Sequence, residues 1–403
     1  MIVPGPWTRA ARAASLLDTD GARPTVFARM SALARRTGAL NLGQGFPDTD
    51  PPAAVAEAAV EAIRSGLNQY PPGLGMPVLR EAISEHQRHW YGLDWDPDTE
   101  VLVTAGATEA LAATLLALVD AGDEVVTLEP FYDAYAAVIA LAGGVHRTVP
   151  LHLEPGADGD LQMRLDEAEL RAAVTDRTRV ILLNTPHNPT GFMPERAILE
   201  TVVELAHRHD AIIVTDEVYE HLTYGVRHEP VATLPGARDR TVSISSAGKT
   251  LSVTGWKIGW VTAPAPLITA VLGVKQWLTY VSGGPFQPAV AVGLGLPDAA
   301  FAEIAQTLHS NRDRLVAGLR EAGFRVAMPQ AGYFVVADAG PLGHPDGAAL
   351  CERLPEEAGV VGIPLSAFYR DGQARAGGSC VRFAFCKSPE VIDDAVARLK
   401  AWA

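Results

Sequence analysis

Short apolar runs alternate with amphipathic stretches through the first two thirds of the chain. Positions 180–183 and 211–214 are apolar without a break, 124–128 and 100–104 nearly so, and 242–245 is a further run of apolar and small residues. Runs of that length bounded by Gly, Pro, Asn and Asp predict short buried strands. Between them, 52–65, 110–119 and 195–208 carry Ala, Leu and Val at helical spacing. A further helix runs after Tyr132 to Ala142 and is closed by Gly143-Gly144. Strands alternating with helices imply crossover connections and a mainly parallel sheet covered on both faces.

Ahead of this region, residues 1 to about 25 are mixed in character and read as a loosely held arm, and 26–34 as a helix. Two loops rich in Gly and Pro, 41–48 and 68–75, flank the 52–65 helix. After Trp260 the pattern changes. Positions 264–281 read as helical, Gly283-Gly284-Pro285-Phe286 interrupts, and a long helical region continues to Ala322. Short strands follow at 324–326, 333–336 and 381–385, with a closing helix at 389–402. The expected organisation is an arm and part of a small domain over 1–50, a large α/β domain over 51–288, and a smaller α+β domain over 289–403, which the arm rejoins.

A chain of 403 residues is long for one core, which agrees with two domains. Its 33 basic and 47 acidic residues give a net charge of -14, which argues against nucleic acid or an anionic membrane as a partner. An anionic ligand then needs a local site. Cys351, Cys380 and Cys386 show neither CxxC spacing nor a zinc-finger His pair, so no disulfide framework and no metal are expected. With no apolar run of signal-peptide or membrane-spanning length, the expected location is the cytoplasm.

Ligands of open α/β sheets gather at the carboxyl ends of the strands. Asn188, Asp216, Tyr219 and Lys249 all fall just after predicted strands. The strand–glycine turn–helix at 100–119 aims backbone N–H groups at an anion, or uses Gly106 only to turn tightly. A lysine at a strand end suits attack of a neutral amine on a carbonyl carbon, although Lys249 taken alone fits a surface lysine after a turn better.

Taken in order, Asn188-Pro189-Thr190-Gly191, Asp216-Glu217-Val218-Tyr219, Ser246-Ala247-Gly248-Lys249 and Arg382 resemble the class I/II pyridoxal-phosphate aminotransferases of fold type I, from about Phe27 to the end of the chain. The resemblance implies that Lys249 bonds the cofactor and then moves the proton between the substrate Cα and the cofactor. Asp216 would keep the pyridine nitrogen protonated, Asn188 and Tyr219 would hold the phenolic oxygen, and Tyr132 would stack on the ring. Ala107, Thr108, Ser246 and Lys257 would hold the phosphate, with Lys257 where some relatives carry arginine. Tyr70 would reach the phosphate of a neighbouring subunit in a homodimer. Arg382, helped by Gly45, would clamp the substrate carboxylate.

Gly43-Gln44-Gly45-Phe46-Pro47-Asp48, Asn68-Gln69-Tyr70-Pro71-Pro72-Gly73 and Thr254-Gly255-Trp256-Lys257-Ile258-Gly259-Trp260 are similar to the branch holding bacterial succinyldiaminopimelate aminotransferases with kynurenine, glutamine and methionine aminotransferases. The likeness implies transfer of an amino group between an amino acid and a 2-oxo acid, the 2-oxoglutarate/glutamate pair serving on one side. Phe27, Tyr70, Tyr132 and Phe286 are expected as an aromatic wall, which suits kynurenine, glutamine or methionine as well as a succinylated diamino acid. β-Elimination is the alternative chemistry on such a scaffold.

Overall fold

The computed structural model describes residues 5–18, 21–156, 159–370 and 377–403. Twelve strands form one mixed sheet. They are β1 (Val101–Thr104), β2 (Glu124–Glu129), β3 (Val145–Pro155), β4 (Leu161–Leu165), β5 (Thr178–Asn184), β6 (Ile212–Asp216), β7 (Thr241–Ser246), β8 (Gly259–Thr262), β9 (Arg325–Ala327), β10 (Phe334–Asp338), β11 (Ile363–Pro364) and β12 (Cys380–Ala384). The spatial order is β11-β12-β10-β9-β4-β3-β2-β5-β6-β7-β8-β1.

Strands β3, β2, β5, β6 and β7 are mutually parallel, and β8 returns antiparallel beside β7. The apolar runs of β5 and β6 are continuous because both faces are covered. Val180 and Leu182 of β5 enter the core under the Gly106–Leu118, Ala134–Ala142 and Ala265–Lys275 helices, while Ile181 and Leu183 enter the opposite core under Arg196–Arg208. This is the α/β architecture of fold type I transferases.

The C-terminal strands have their own core, beneath Val26–Thr37, Asp298–Glu321, Gly347–Glu357 and Pro389–Trp402. Leu40–Asn41 pairs in parallel with Val360–Val361, which stitches the early chain to this half. The two halves of the sheet meet where β4 and β9 share one register pair, Leu161 with Ala327.

The described part of the N-terminal arm is more ordered than its composition suggests. Trp7–Ala13 is a helix packed against Ala134–Ala142, and Leu17–Asp18 pairs with Gly21–Ala22. Ala13 packs against the core on the large-sheet side, so this helix does not join the C-terminal half. Residues 1–4 and 19–20 of the arm lie outside the described residues. The helix expected over 264–281 ends at Lys275, because the chain turns there and Lys275 donates from Nζ to the carbonyls of Gly73 and Tyr280.

Candidate active site

Parallel register puts the functional ends of three strands in one row. Asn184 of β5 lies opposite Asp216 of β6, and Asp216 opposite Ile244 of β7. β7 then stops at Ser246, and a single helical turn, Ala247–Thr250, swings Lys249 across the strand ends. A cavity of about 240 Å³ opens there.

Lys249 Nζ donates to the Gly45 carbonyl at 3.1 Å and stands 5.8 and 5.4 Å from the ring centres of Tyr219 and Tyr333. Burial pushes its pKa down to about 8; Arg382 and Lys257 act in the same direction and Asp216 opposes them. A large share of the amine is therefore neutral near pH 8.

Asp216 is buried, and Tyr135 donates its hydroxyl to Oδ2 at 2.7 Å. Burial raises the carboxyl pKa, and the Tyr135 hydrogen bond opposes the rise. Tyr132, from the turn before the Ala134–Ala142 helix, stands edge-on to Tyr135 with ring centres 5.8 Å apart. Its phenol is pushed up to about 12 by burial and stays protonated.

An anion cradle lies on the same cavity. Gly106 opens its helix at φ +75°, and the first-turn amides of Ala107 and Thr108 have no partner inside the helix. Gly259 has to be glycine, because a Cβ there would come within 2.7 Å of the Ala107 nitrogen. Lys257 adopts φ +55° and brings Nζ to 3.1 Å from where a Cβ on Gly106 would stand. Ser246 completes this wall.

Arg382 is 1% exposed in β12 and among the described residues forms no ion pair with a carboxylate. It donates from one terminal nitrogen to Asn188 Oδ1 and from the other to the Gly43 carbonyl, each at 2.9 Å. Its Nε has no partner. The guanidinium sits 3.7 Å from the centre of the Phe334 ring and 5.5 Å from that of Phe27. Burial pushes its pKa down to about 10, so it remains a cation at neutral pH. A buried cation without a counter-charge is a site for an anion.

Ala107, Thr108, Tyr132, Asn188, Asp216, Tyr219, Ser246, Lys249 and Lys257 thus line one cavity, with Arg382 joined through Asn188 and Gly45 through Lys249. Phe27 stands over Arg382. Phe286 is not on the cavity wall: it stacks on Trp256 at 4.8 Å, where the apolar Trp256 face competes for it. Tyr70 is 83% exposed and touches Tyr280 rather than its own chain's cavity. The aromatic wall expected from four rings therefore reduces, within one chain, to Phe27 and Tyr132.

Residues that the sequence pattern did not single out are Tyr135, Asn184 and Tyr333. Asn184 bridges the Asp216 carbonyl and the Asn188 amide, and Tyr333 donates to the Gly45 carbonyl. Tyr135 had one available signal, its position three residues after Tyr132 at a helix start.

Residues 37–399 match the family described as aminotransferase class I and II. The chain is 50% identical over 386 residues to a probable N-succinyldiaminopimelate aminotransferase, DapC, of Mycobacterium tuberculosis, covering 94% of this chain and 96% of that one. It is 37% identical to a methionine aminotransferase of Escherichia coli, over 93% and 95% of the two chains. The solved N-succinyldiaminopimelate aminotransferase of M. tuberculosis superposes over 100% of both chains with a TM-score of 0.92 at 47% identity.

Proposed function

The chain belongs to the class I and II aminotransferases, enzymes that use pyridoxal phosphate, and we propose that it exchanges an amino group between N-succinyl-diaminopimelate and 2-oxoglutarate. The observation that carries this choice of substrate is the 50% identity, over nearly the full length of both chains, to the M. tuberculosis relative.

The cavity residues fit the cofactor. An amine whose pKa burial lowers, a buried carboxyl and an amide-lysine-hydroxyl cradle face one space, as a carbonyl carbon, a pyridine nitrogen and a phosphate require. When bound, pyridoxal phosphate supplies the electrophilic carbon and an electron sink for the charge left at the substrate Cα. Lys249 would hold the cofactor and afterwards carry the proton to and from the substrate Cα. Asp216, fixed by Tyr135, would keep a proton on the ring nitrogen. Asn188 and Tyr219 would hold the phenolic oxygen, and Tyr132 would pack on the ring. The Ala107 and Thr108 amides, Ser246 and Lys257 would hold the phosphate.

Arg382 takes the substrate α-carboxylate, with its unpartnered Nε and a terminal nitrogen available for a bidentate grip, and the Gly45 backbone assists. A cation for the distal end of the substrate is at hand. A cavity of about 510 Å³ is lined by Arg23, Val26, Arg29 and Asp133, which include the chain neighbours of Phe27 and Tyr132. Arg23 and Arg29 are the groups we assign to the succinyl side.

The working form is a homodimer with shared sites. Tyr70 and Trp277 are each 83% exposed, with Leu278 and Tyr280 half-exposed beside them in sequence, an apolar surface that a second copy would cover while Tyr70 reaches its phosphate. Among the described residues no single helix is long and apolar enough to cross a membrane. The three cysteines are buried free thiols, which suits a reducing cytoplasm.

The test is a comparison of kcat/KM for succinyl-diaminopimelate, kynurenine, glutamine and methionine with 2-oxoglutarate as acceptor. Succinyl-diaminopimelate should lead by at least about tenfold, the scale of one added charged contact. A lead by methionine or kynurenine moves the enzyme to another branch of the family. Release of pyruvate and ammonia, without glutamate, identifies a β-eliminating enzyme instead.

A further inference from the structure

A second polar cluster lies behind the cavity, on the other side of the strand ends. Glu217 and Glu220 are both buried, following Asp216 in the turn after β6. Among the described residues no lysine or arginine forms an ion pair with either. Glu220 accepts a hydrogen bond from the Ser245 hydroxyl at 2.6 Å; its second oxygen makes no well-formed hydrogen bond, although the buried Tyr91 hydroxyl lies close to the same carboxyl. Glu217 stands 3.4 Å from His228 without hydrogen-bond geometry, and its other oxygen is also unpartnered. Neighbouring carboxyls out of water stay ionised only where a counter-charge is supplied.

Next to them are two imidazoles. His86, buried in the Pro77–Tyr91 helix, has Nε2 only 2.7 Å from Nε2 of His221. In the neutral forms one ring donates and the other accepts, which leaves the buried Nδ1 of His86 unsatisfied whichever way the proton lies. A ligand atom from each of His86, Glu220 and His221 lies within 4.8 Å of the other two. Trp90 and Phe301 wall the imidazoles, with ring centres 4.8 and 4.6 Å from that of His221. Arg227 and Asp298 lie along the adjoining cavity of about 490 Å³.

We propose that His86 Nε2, His221 Nε2 and a Glu220 carboxylate oxygen bind a zinc-like divalent transition-metal ion. Two imidazoles and one carboxylate are a normal zinc donor set, and the adjoining cavity leaves a fourth position for water. Zinc–nitrogen bonds place two tetrahedral nitrogens roughly 3.4 Å apart, so the imidazoles, now 2.7 Å apart, have to part by roughly 0.7 Å. The ion supplies the missing counter-charge for Glu217 and Glu220. Spacing rules miss the site because adjacent Glu220 and His221 come from one turn and His86 from a distant helix. Through Glu220 and Ser245 the ion fastens the end of β7, a positioning rather than a catalytic role.

The experiment is titration of the chelator-treated, cofactor-loaded protein with Zn2+ by calorimetry and with Co2+ by visible absorption. One ion per chain should bind with a dissociation constant at or below the micromolar range. The Co2+ form should show the intense visible band of a four-coordinate site. His221→Ala should weaken Zn2+ binding roughly a hundredfold or more, and the near-isosteric Glu220→Gln at least tenfold. The cofactor's visible band in each variant reports that the fold is intact. If His221→Ala does not fold, Glu220→Gln and the wild-type Co2+ spectrum decide the matter. The proposal is overturned by the absence of saturable binding at one ion per chain, by an aquo-like Co2+ spectrum, or by affinity unchanged in a folded variant.

Discussion

Tyr135 and Asp216 are joined by a 2.7 Å hydrogen bond in which the phenol donates to the carboxylate that faces the cavity. Burial works against ionisation of Asp216, and this donor is the leading opposing influence. Tyr135→Phe should therefore raise the Asp216 pKa and loosen its grip on a ring proton. A hydrogen bond to a charged group is worth about 1.5 kcal/mol or more, so kcat should fall roughly tenfold. The acid limb of the kcat–pH profile should move to higher pH. An unchanged acid limb would show that Tyr135 only packs.

Lys249 offers a stability test separate from activity. Its buried amine has a pKa of about 8 against an ordinary 10.5. Between those values the unfolded chain binds a proton that the folded chain does not, so the wild type gains stability as pH rises through that window. With the cofactor removed, Lys249→Met should be the more stable protein at pH 7, by on the order of 3 kcal/mol or less. The difference should shrink toward pH 10.5, as read by denaturant unfolding at several pH values. Lys249→Ala should lower turnover by about 10³ or more, with the fold retained.

Gly259→Ala should act on the cofactor rather than on the substrate. The new Cβ would stand 2.6 Å from the Gly106 carbonyl carbon and 2.7 Å from the Ala107 nitrogen, both fixed backbone atoms. Overpacking of this kind costs about 1–3 kcal/mol. The dissociation constant for pyridoxal phosphate should rise about tenfold or more, measured by the visible band under dilution. Retained affinity would place the phosphate elsewhere.

Arg29→Ala should separate substrates. The Arg29–Glu352 ion pair is half-exposed and worth at most about 1 kcal/mol, so thermal stability should scarcely move. The KM for succinyl-diaminopimelate should rise several-fold, while kcat/KM for methionine stays level. Equal losses on both substrates would remove Arg29 from the distal subsite.

Much of this arrangement was legible from apolar continuity. β5 and β6 are buried on both faces, so their runs stand out, and the polar residues just beyond them line the cavity. The β3–β4 hairpin was not legible, because its strands are half-exposed and carry His146, Arg147, Thr148 and Arg164 among the apolar positions. The Pro77–Tyr91 helix was hidden for the opposite reason: its inward face buries Arg80, Ser84, His86 and Gln87. Phe286, expected at the site as part of an aromatic wall, stacks on Trp256 within its own chain. Tyr135 was passed over because a tyrosine in an alanine-rich helix reads as core until its hydroxyl is seen to find Asp216.

The pairing of Ser246 with Gly259 closes a short antiparallel connection, and Ser246, Lys249 and Lys257 all lie on it. The proposed attachment point for the cofactor and two of its proposed phosphate contacts are thus set by one continuous length of backbone, pinned at both ends by ladder hydrogen bonds. Chain length between those pins is consequently an unforgiving variable. Adding or deleting a residue within 247–258 would shift Lys249 relative to Lys257 even if every side chain were kept. Variation in this enzyme should therefore proceed by exchange of residues along that span and by changes of length elsewhere.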